Sequence, residues 1–264
     1  MTKQPRSLKI LSAVLTLLTM TIMAAGRLDA MTADEVLQGV ENRYIGKTSK
    51  SESTMKLVAP DGNTRTRKLV IYRRKTDNDN KDNFIHFLSP ADIKDTTYLV
   101  NERNRQKEKW IYLSAFKNIR KIVATDYNVA FVSSDFTYED MDDIHASDYI
   151  CSDLKEETLD GEAVWSIDCK KKDANTDYSH TVLKVSKDKM VILKALMYDK
   201  KDPAKQVKEM TATQLEKIQD IWTPKVVTMK DLRKKTSTIL EVNKIEYDLP
   251  LPDDTFSQRN MKKG

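Results

Sequence analysis

From Ser51 onward the apolar residues of this chain recur with a period of two, and turn-forming residues interrupt them at short intervals. Alternation sends successive side chains to opposite faces of a sheet, and short turns leave no room for crossover helices. Met55, Leu57 and Ala59 form the first run, and Pro60-Asp61-Gly62-Asn63 turns the chain. Residues 64–74 answer as a second arm, with Leu69 and Ile71 on one face and Val70 and Tyr72 on the other. Further strands are expected over 83–88, 96–101, 109–113, 148–154, 163–170, 181–186, 190–199, 206–218, 221–231 and 236–247. Consecutive hairpins of this kind make an antiparallel meander in one domain. So broad a sheet must curl to hide its edges and its apolar face.

Four stretches break the pattern. Thr32 with Glu35 three residues on is a capping box, Val36, Leu37, Val40 and Tyr44 recur at helical spacing, and Gly46 ends the run. The helix they predict has one apolar stripe and should dock on the sheet. Residues 114–131 read as irregular chain with apolar anchors, 137–144 as a short acidic helix, and 253–259 as one helical turn. Trp165 and Trp222 read as core.

Lys3, Arg6 and Lys9 precede an uncharged, mostly apolar run over 10–25, the pattern of a secretory signal peptide and short for a membrane span. Cleavage is expected after Gly26 or Ala30, leaving a single domain over 31–264 that is exported and soluble. Losing residues 1–30 removes four basic residues and one acid. The formal charge then falls from +5 to 41 − 39 = +2. That removes the concentrated basic face a nucleic-acid partner would need. The two cysteines, Cys151 and Cys169, flank a hairpin centred on Asp160-Gly161. Folding the ribbon about that turn pairs positions whose numbers sum to about 321, so the thiols, at 320, lie nearly opposite. In an oxidising compartment they should form a disulfide.

Much chemistry is missing. No two glycines of the mature chain are close enough for a phosphate loop, and His86, His145 and His180 lack zinc-ligand spacing. There is no Gly-x-Ser-x-Gly elbow. The run Glu139-Asp140-Met141-Asp142-Asp143 lacks the spacing and glycine of a calcium loop and reads as the solvated face of a helix. No catalytic residue, metal or cofactor is expected, and hence no enzyme.

Residues 87–142 carry a resemblance. Phe87 and Pro90 precede Thr97-x-Leu99; then come Trp110-Ile111-Tyr112-Leu113 and Phe116-Lys117-Asn118-Ile119-Arg120-Lys121-Ile122. Phe131-x-Ser133-Ser134-Asp135-Phe136-x-Tyr138-Glu139-Asp140 closes the match, with weaker similarity at Trp222-Thr223-Pro224, Met229-x-Asp231 and Phe256. This resembles the LolA/LolB-like periplasmic lipoprotein-carrier superfamily, most of all its outer-membrane lipoprotein-sorting branch. Ser133 departs from the glycine expected there, costing the backbone its freedom for positive φ; the cysteine pair departs as well. The resemblance implies a mainly β (α+β) fold: a curled antiparallel sheet forming an unclosed β-barrel, with the N-terminal helix and a helical or loop cover on its concave face. It implies a non-enzymatic carrier in the periplasm of a Gram-negative bacterium, shielding the acyl chains of a lipoprotein or another lipid. Its partners would be that cargo, an inner-membrane transporter and an outer-membrane acceptor, with transient membrane contact. An acyl chain of about sixteen carbons exposes on the order of 12 kcal/mol of apolar surface to water, so a carrier needs an apolar groove. The expected groove and lid residues are Phe87, Leu99, Trp110, Tyr112, Phe116, Phe131, Phe136 and Met141, with Arg120 and Asp135 as a latch on a mobile cover over 114–144. The alternatives are an accessory subunit of an RND-type lipid export pump and a lipoprotein-sensing regulatory module of the MucB/RseB type.

Overall fold

The computed structural model describes residues 31–76, 80–173 and 175–263. The signal-peptide reading of 1–30 lies outside them. Helix α1 (Ala33–Asn42) opens the fold with the expected capping box: Glu35 N–H donates to Thr32 Oγ1 while Glu35 Oε2 accepts from Thr32 N–H at 2.7 Å. Val36 and Leu37 are its buried stripe.

The rest is one antiparallel sheet. Its first six strands are β1 (Thr48–Val58), β2 (Thr64–Lys75), β3 (Lys81–Ser89), β4 (Thr97–Arg103), β5 (Gln106–Leu113) and β6 (Asn118–Ile122). After a crossing segment, residues 123–148, come β7 (Tyr149–Leu159), β8 (Glu162–Lys171), β9 (Tyr178–Ser186), β10 (Ile192–Asp199), β11 (Gln206–Ile218), β12 (Ile221–Asp231) and β13 (Thr236–Tyr247). The strand order is β6-β5-β4-β3-β2-β1-β13-β12-β11-β10-β9-β8-β7. Every neighbour but one follows its neighbour in sequence, as short turns require. The exception, β1 beside β13, joins the two ends of the meander at the middle of the sheet. β6 and β7 remain unpaired edges, so the barrel does not close.

Two details differ from expectation. Residues 118–122, expected to be irregular, pair with β5 as an edge strand. Residues 137–144 form turns rather than a helix. There Thr137 N–H donates to Asp140 Oδ2 and Asp140 N–H to Thr137 Oγ1, a reciprocal box of the helix-capping kind. However, Tyr138 and Glu139 give their N–H groups back to Val129 and Tyr127, so the segment doubles over as a tight hairpin.

The disulfide is present. Cys151 and Cys169 sit opposite each other with Cα atoms 4.1 Å apart. Near the turn the pairs sum to 321, as Leu159 with Glu162; beyond a bulge between Ser152 and Lys155 they sum to 320. Asp153, at φ 54°, carries that bulge. The extra residue brings the two cysteines into line.

The inner face packs Met55, Leu69, Ile85, Phe87, Tyr98 and Ile111 of one half against Ile167, Leu183, Val185 and Met197 of the other, with α1 and the crossing segment between. The outer face of β2–β6 has its own layer, Phe84, Leu99, Trp110, Tyr112 and Ile119. A C-terminal tail covers it, made of a 3-10 turn (Asp253–Phe256) and α2 (Gln258–Met261), which buries Phe256 and Met261. Thr97 Oγ1 donates to Met261 O and Asn101 Nδ2 to Phe256 O, pinning the tail.

Candidate functional site

The site is the inner face of the half-barrel and the segment that crosses it. Ser134-Asp135-Phe136 anchors that segment. Ser134 Oγ donates to Phe131 O at 2.7 Å and closes a tight turn. Asp135 accepts hydrogen bonds from Thr236 and Thr238 of β13, and its N–H donates to Thr238 Oγ1 at 2.9 Å. Arg67 of β2 donates to Val132 O from the other side. Held so, Phe131 enters an aromatic nest: its ring centroid lies 5.1 Å from that of Tyr98, 5.7 Å from Tyr138 and 6.1 Å from Phe87. Phe136 is buried in the same cluster and Met141 packs against it. Tyr98 Oη is buried there without a partner among the described residues.

The acidic run does not face solvent as expected. Glu139 pairs with Lys171 at 2.8 Å, Asp140 with Lys208 at 2.8 Å, Asp142 with Lys109 at 2.8 Å, and Asp143 lies 3.6 Å from Arg73. These cations come from β8, β11, β5 and β2, so the ladder ties the crossing segment to strands all around the sheet. Lys109 is completely buried; its Nζ also donates to Tyr138 O and lies 3.7 Å from the Tyr127 ring centroid. Burial pushes the Lys109 pKa down and the Glu139 carboxyl up, with the partner charge opposing each shift. Just beyond the ladder, His145 is buried between two carboxylates, with Nδ1 2.9 Å from Glu41 and Nε2 2.7 Å from Glu102.

The expected groove residues divide. Phe87, Phe131, Phe136 and Met141 meet on the inner face. Leu99, Trp110 and Tyr112 lie on the outer face beneath the C-terminal tail, because Leu99 pairs with Trp110 one position out of phase with the inward pair Tyr98 and Ile111. Phe116, at the tip of the β5–β6 turn, is 77% exposed. The two latch residues have other partners: Arg120 lies 3.8 Å from Asp126, and Asp135 is bound to the β13 threonines. Arg67, Lys109, Lys171 and Lys208 were not anticipated, although alternation alone signals them. Lys109 is in phase with Ile111, Lys171 with Ile167 and Cys169, Lys208 with Met210, and Arg67 with Leu69, all inward positions.

Two openings border the interior. One of about 650 Å³ lies between the β1–β2 turn and Ser133-Asp135. The other, of about 360 Å³, lies where α1 ends, between the start of β1, the end of β2 and Asp142-Ile144. Among the described residues no His, Cys, Asp and Glu cluster suits a metal ion, and no helix is long and apolar enough to cross a membrane.

An open antiparallel half-barrel with an inner apolar layer and a strapped crossing segment defines a LolA-like fold. A family model described as "Uncharacterized protein" matches residues 79–263, and the chain belongs to that family. Among solved structures it is similar to a DUF1329 family protein from Desulfovibrio piger, with 27% identity, TM-score 0.81, and 87% of this chain and 97% of that one covered. It is similar in fold to a Vibrio parahaemolyticus domain provisionally assigned to outer membrane lipoprotein sorting (23% identity, TM-score 0.81, 87% and 98% covered). It is also similar in fold to a LolA superfamily protein from Nitrosomonas europaea (18% identity, TM-score 0.67, 88% and 100% covered). No curated protein matches by sequence.

Proposed function

We propose that this protein is a non-enzymatic periplasmic carrier that holds the acyl chains of a lipoprotein or another lipid against the inner face of its half-barrel. One observation carries the reading. The inner apolar layer runs between strands of both halves of the sheet, and what fills the middle is not a further layer of sheet but α1 and the aromatic side chains of the crossing segment. Phe131 and Tyr138, in contact with Phe87 and Tyr98, and Phe136 in the same cluster take the place proposed for an acyl chain. The polar ties of that segment, Asp135 to β13 and the carboxylate ladder, can exchange for water when it lifts. The apolar layer it uncovers cannot, and an acyl chain satisfies it at about 0.8 kcal/mol per buried CH₂. The likeness to lipoprotein-sorting and LolA structures supports the same reading.

Purifying the full chain from the periplasm of an expressing Gram-negative cell and extracting it for mass spectrometry tests this. Acyl-bearing species should co-purify with the wild type. They should be depleted in Phe87→Asp, which places a charge in the groove wall, relative to a Trp110→Asp control on the outer face. A folded protein that carries no acyl species and takes up no added fatty acid or lipopeptide overturns it.

A further inference from the structure

The 360 Å³ opening at the end of α1 has an unusual wall. Val40 and Ile144, which line it, also pack against the inner apolar cluster, so its wall is shared with the interior. Trp222 lines the opening too. Beside this greasy surface stands Arg43. One of its N–H groups donates to Trp222 O at 2.9 Å, Nε is buried with no partner, and it pairs with no carboxylate among the described residues. A half-buried guanidinium whose Nε is unpaired is costly, and its planar fork suits a carboxylate or phosphate.

The surrounding charge points the same way. Lys81 and Arg73 line the opening, and among the described residues Arg73 pairs only with the partly exposed Asp143, at 3.6 Å. Burial alone would raise the Asp143 carboxyl, but Arg73, Lys81 and Lys107 hold it below its ordinary value. Glu41 on the same wall is likewise held down, against its burial, by the Ala146 N–H and by His145. Six basic and four acidic residues line the opening, so its mouth is positive on balance.

We infer that this opening is the seat of an anionic lipid headgroup, with Arg43 as its principal ligand, Lys81 supporting it, and the acyl chain running past Val40 and Ile144 into the interior. The inference rests on the carrier reading and adds the class of lipid: one bearing a phosphate or carboxylate. An uncharged glycerolipid lacks the group that Arg43 is left to bind.

Trp222 reports the site. In the full chain carrying Trp110→Phe and Trp165→Phe, its fluorescence is titrated with palmitoyl lysophosphatidic acid, with monopalmitoylglycerol, and with inorganic phosphate. The phosphate-bearing lipid should bind about tenfold or more tightly than the neutral one. Arg43→Gln should bring the two within about threefold, Arg43→Lys should retain part of the preference, and Lys81→Gln should narrow it. Should Arg43→Gln fail to fold, Lys81→Gln carries the test, since Lys81 acts on α1 only through its charge on Glu41, beneath the Ala146 and His145 contacts that hold that carboxylate. Equal affinity for the two lipids, or a preference that survives both substitutions, overturns the headgroup site while the carrier reading stands. Inorganic phosphate binding as tightly as the phospholipid assigns the site to a soluble anion and overturns the lipid. If neither lipid binds at all, both readings fall together.

Discussion

Ser133 stands at φ 61° and its neighbour Val132 at φ 42°, a region where a side chain costs about 1 kcal/mol or more. The sequence suggested that a serine here would forgo positive φ. Instead the turn keeps its shape, because Ser134 Oγ bonded to Phe131 O and Asp135 bonded to β13 fix both flanks. Ser133→Gly should therefore stabilise the protein by about 0.5–1 kcal/mol, after subtracting glycine's larger unfolded entropy, and raise the thermal midpoint by about 1–4 °C. A lower midpoint would mean the serine contributes something the backbone does not show. His145 gives a second expectation at this scale. Its pKa is raised above 6.5, chiefly by Glu102 and also by Glu41, against its burial. A group with a raised folded pKa adds stability that is complete below its unfolded value and is lost as pH rises through its folded one. Urea midpoints should thus fall as pH rises above the ordinary histidine value more steeply in the wild type than in His145→Asn, where this contribution is gone. Parallel profiles would contradict it.

Among the elements, the carboxylate ladder decides how the crossing segment is held. Asp140 and Lys208 are both about 4% exposed. Asp140→Asn keeps one acceptor oxygen, for the Thr137 N–H, and turns an amide toward Tyr178 Oη, but leaves Lys208 charged and buried without a counter-ion. That change should cost about 3–5 kcal/mol, and adding Lys208→Met should recover most of it. The exposed pair Lys121–Glu108 should yield under about 1 kcal/mol in the same cycle. A cycle showing the buried pair no stronger than the exposed one would mean the segment is not tied down this way. The elements were largely legible. Strands followed from alternation, α1 from its capping box, and the disulfide from the symmetry of one turn. The acidic run was not legible, because a helix-capping box and four carboxylates read the same whether their partners are water or lysines on distant strands.

Over the whole molecule, the weak points are the two unpaired edges. β7 is the one the disulfide fastens, and α1 packs on it, with the Cys151 N–H donating to Asp34 Oδ1. The bridge closes a loop of 18 residues, so Cys151→Ser with Cys169→Ser should cost about 3 kcal/mol in the chain-entropy model. Protease nicking under native conditions should then concentrate in β7 rather than in β1 or β13 at the centre of the sheet. Nicking at the centre would place the weak point elsewhere. The meander, its helix, its cysteine bridge and its kinship were legible in the residues alone, because each depends on patterns within a hairpin or a short run. It also placed Phe87, Phe131, Phe136 and Met141 among the groove candidates. Only the tertiary structure decided which face each aromatic serves. Leu99 and Trp110 alternate as cleanly as Tyr98 and Ile111, and the sheet is apolar on both sides there because a tail more than a hundred residues later covers the outside. Likewise, that four acids meet four cations from strands far apart in sequence, and that Arg43 meets no acid among the described residues, follows from the curling of the sheet, which brings those strands round one interior.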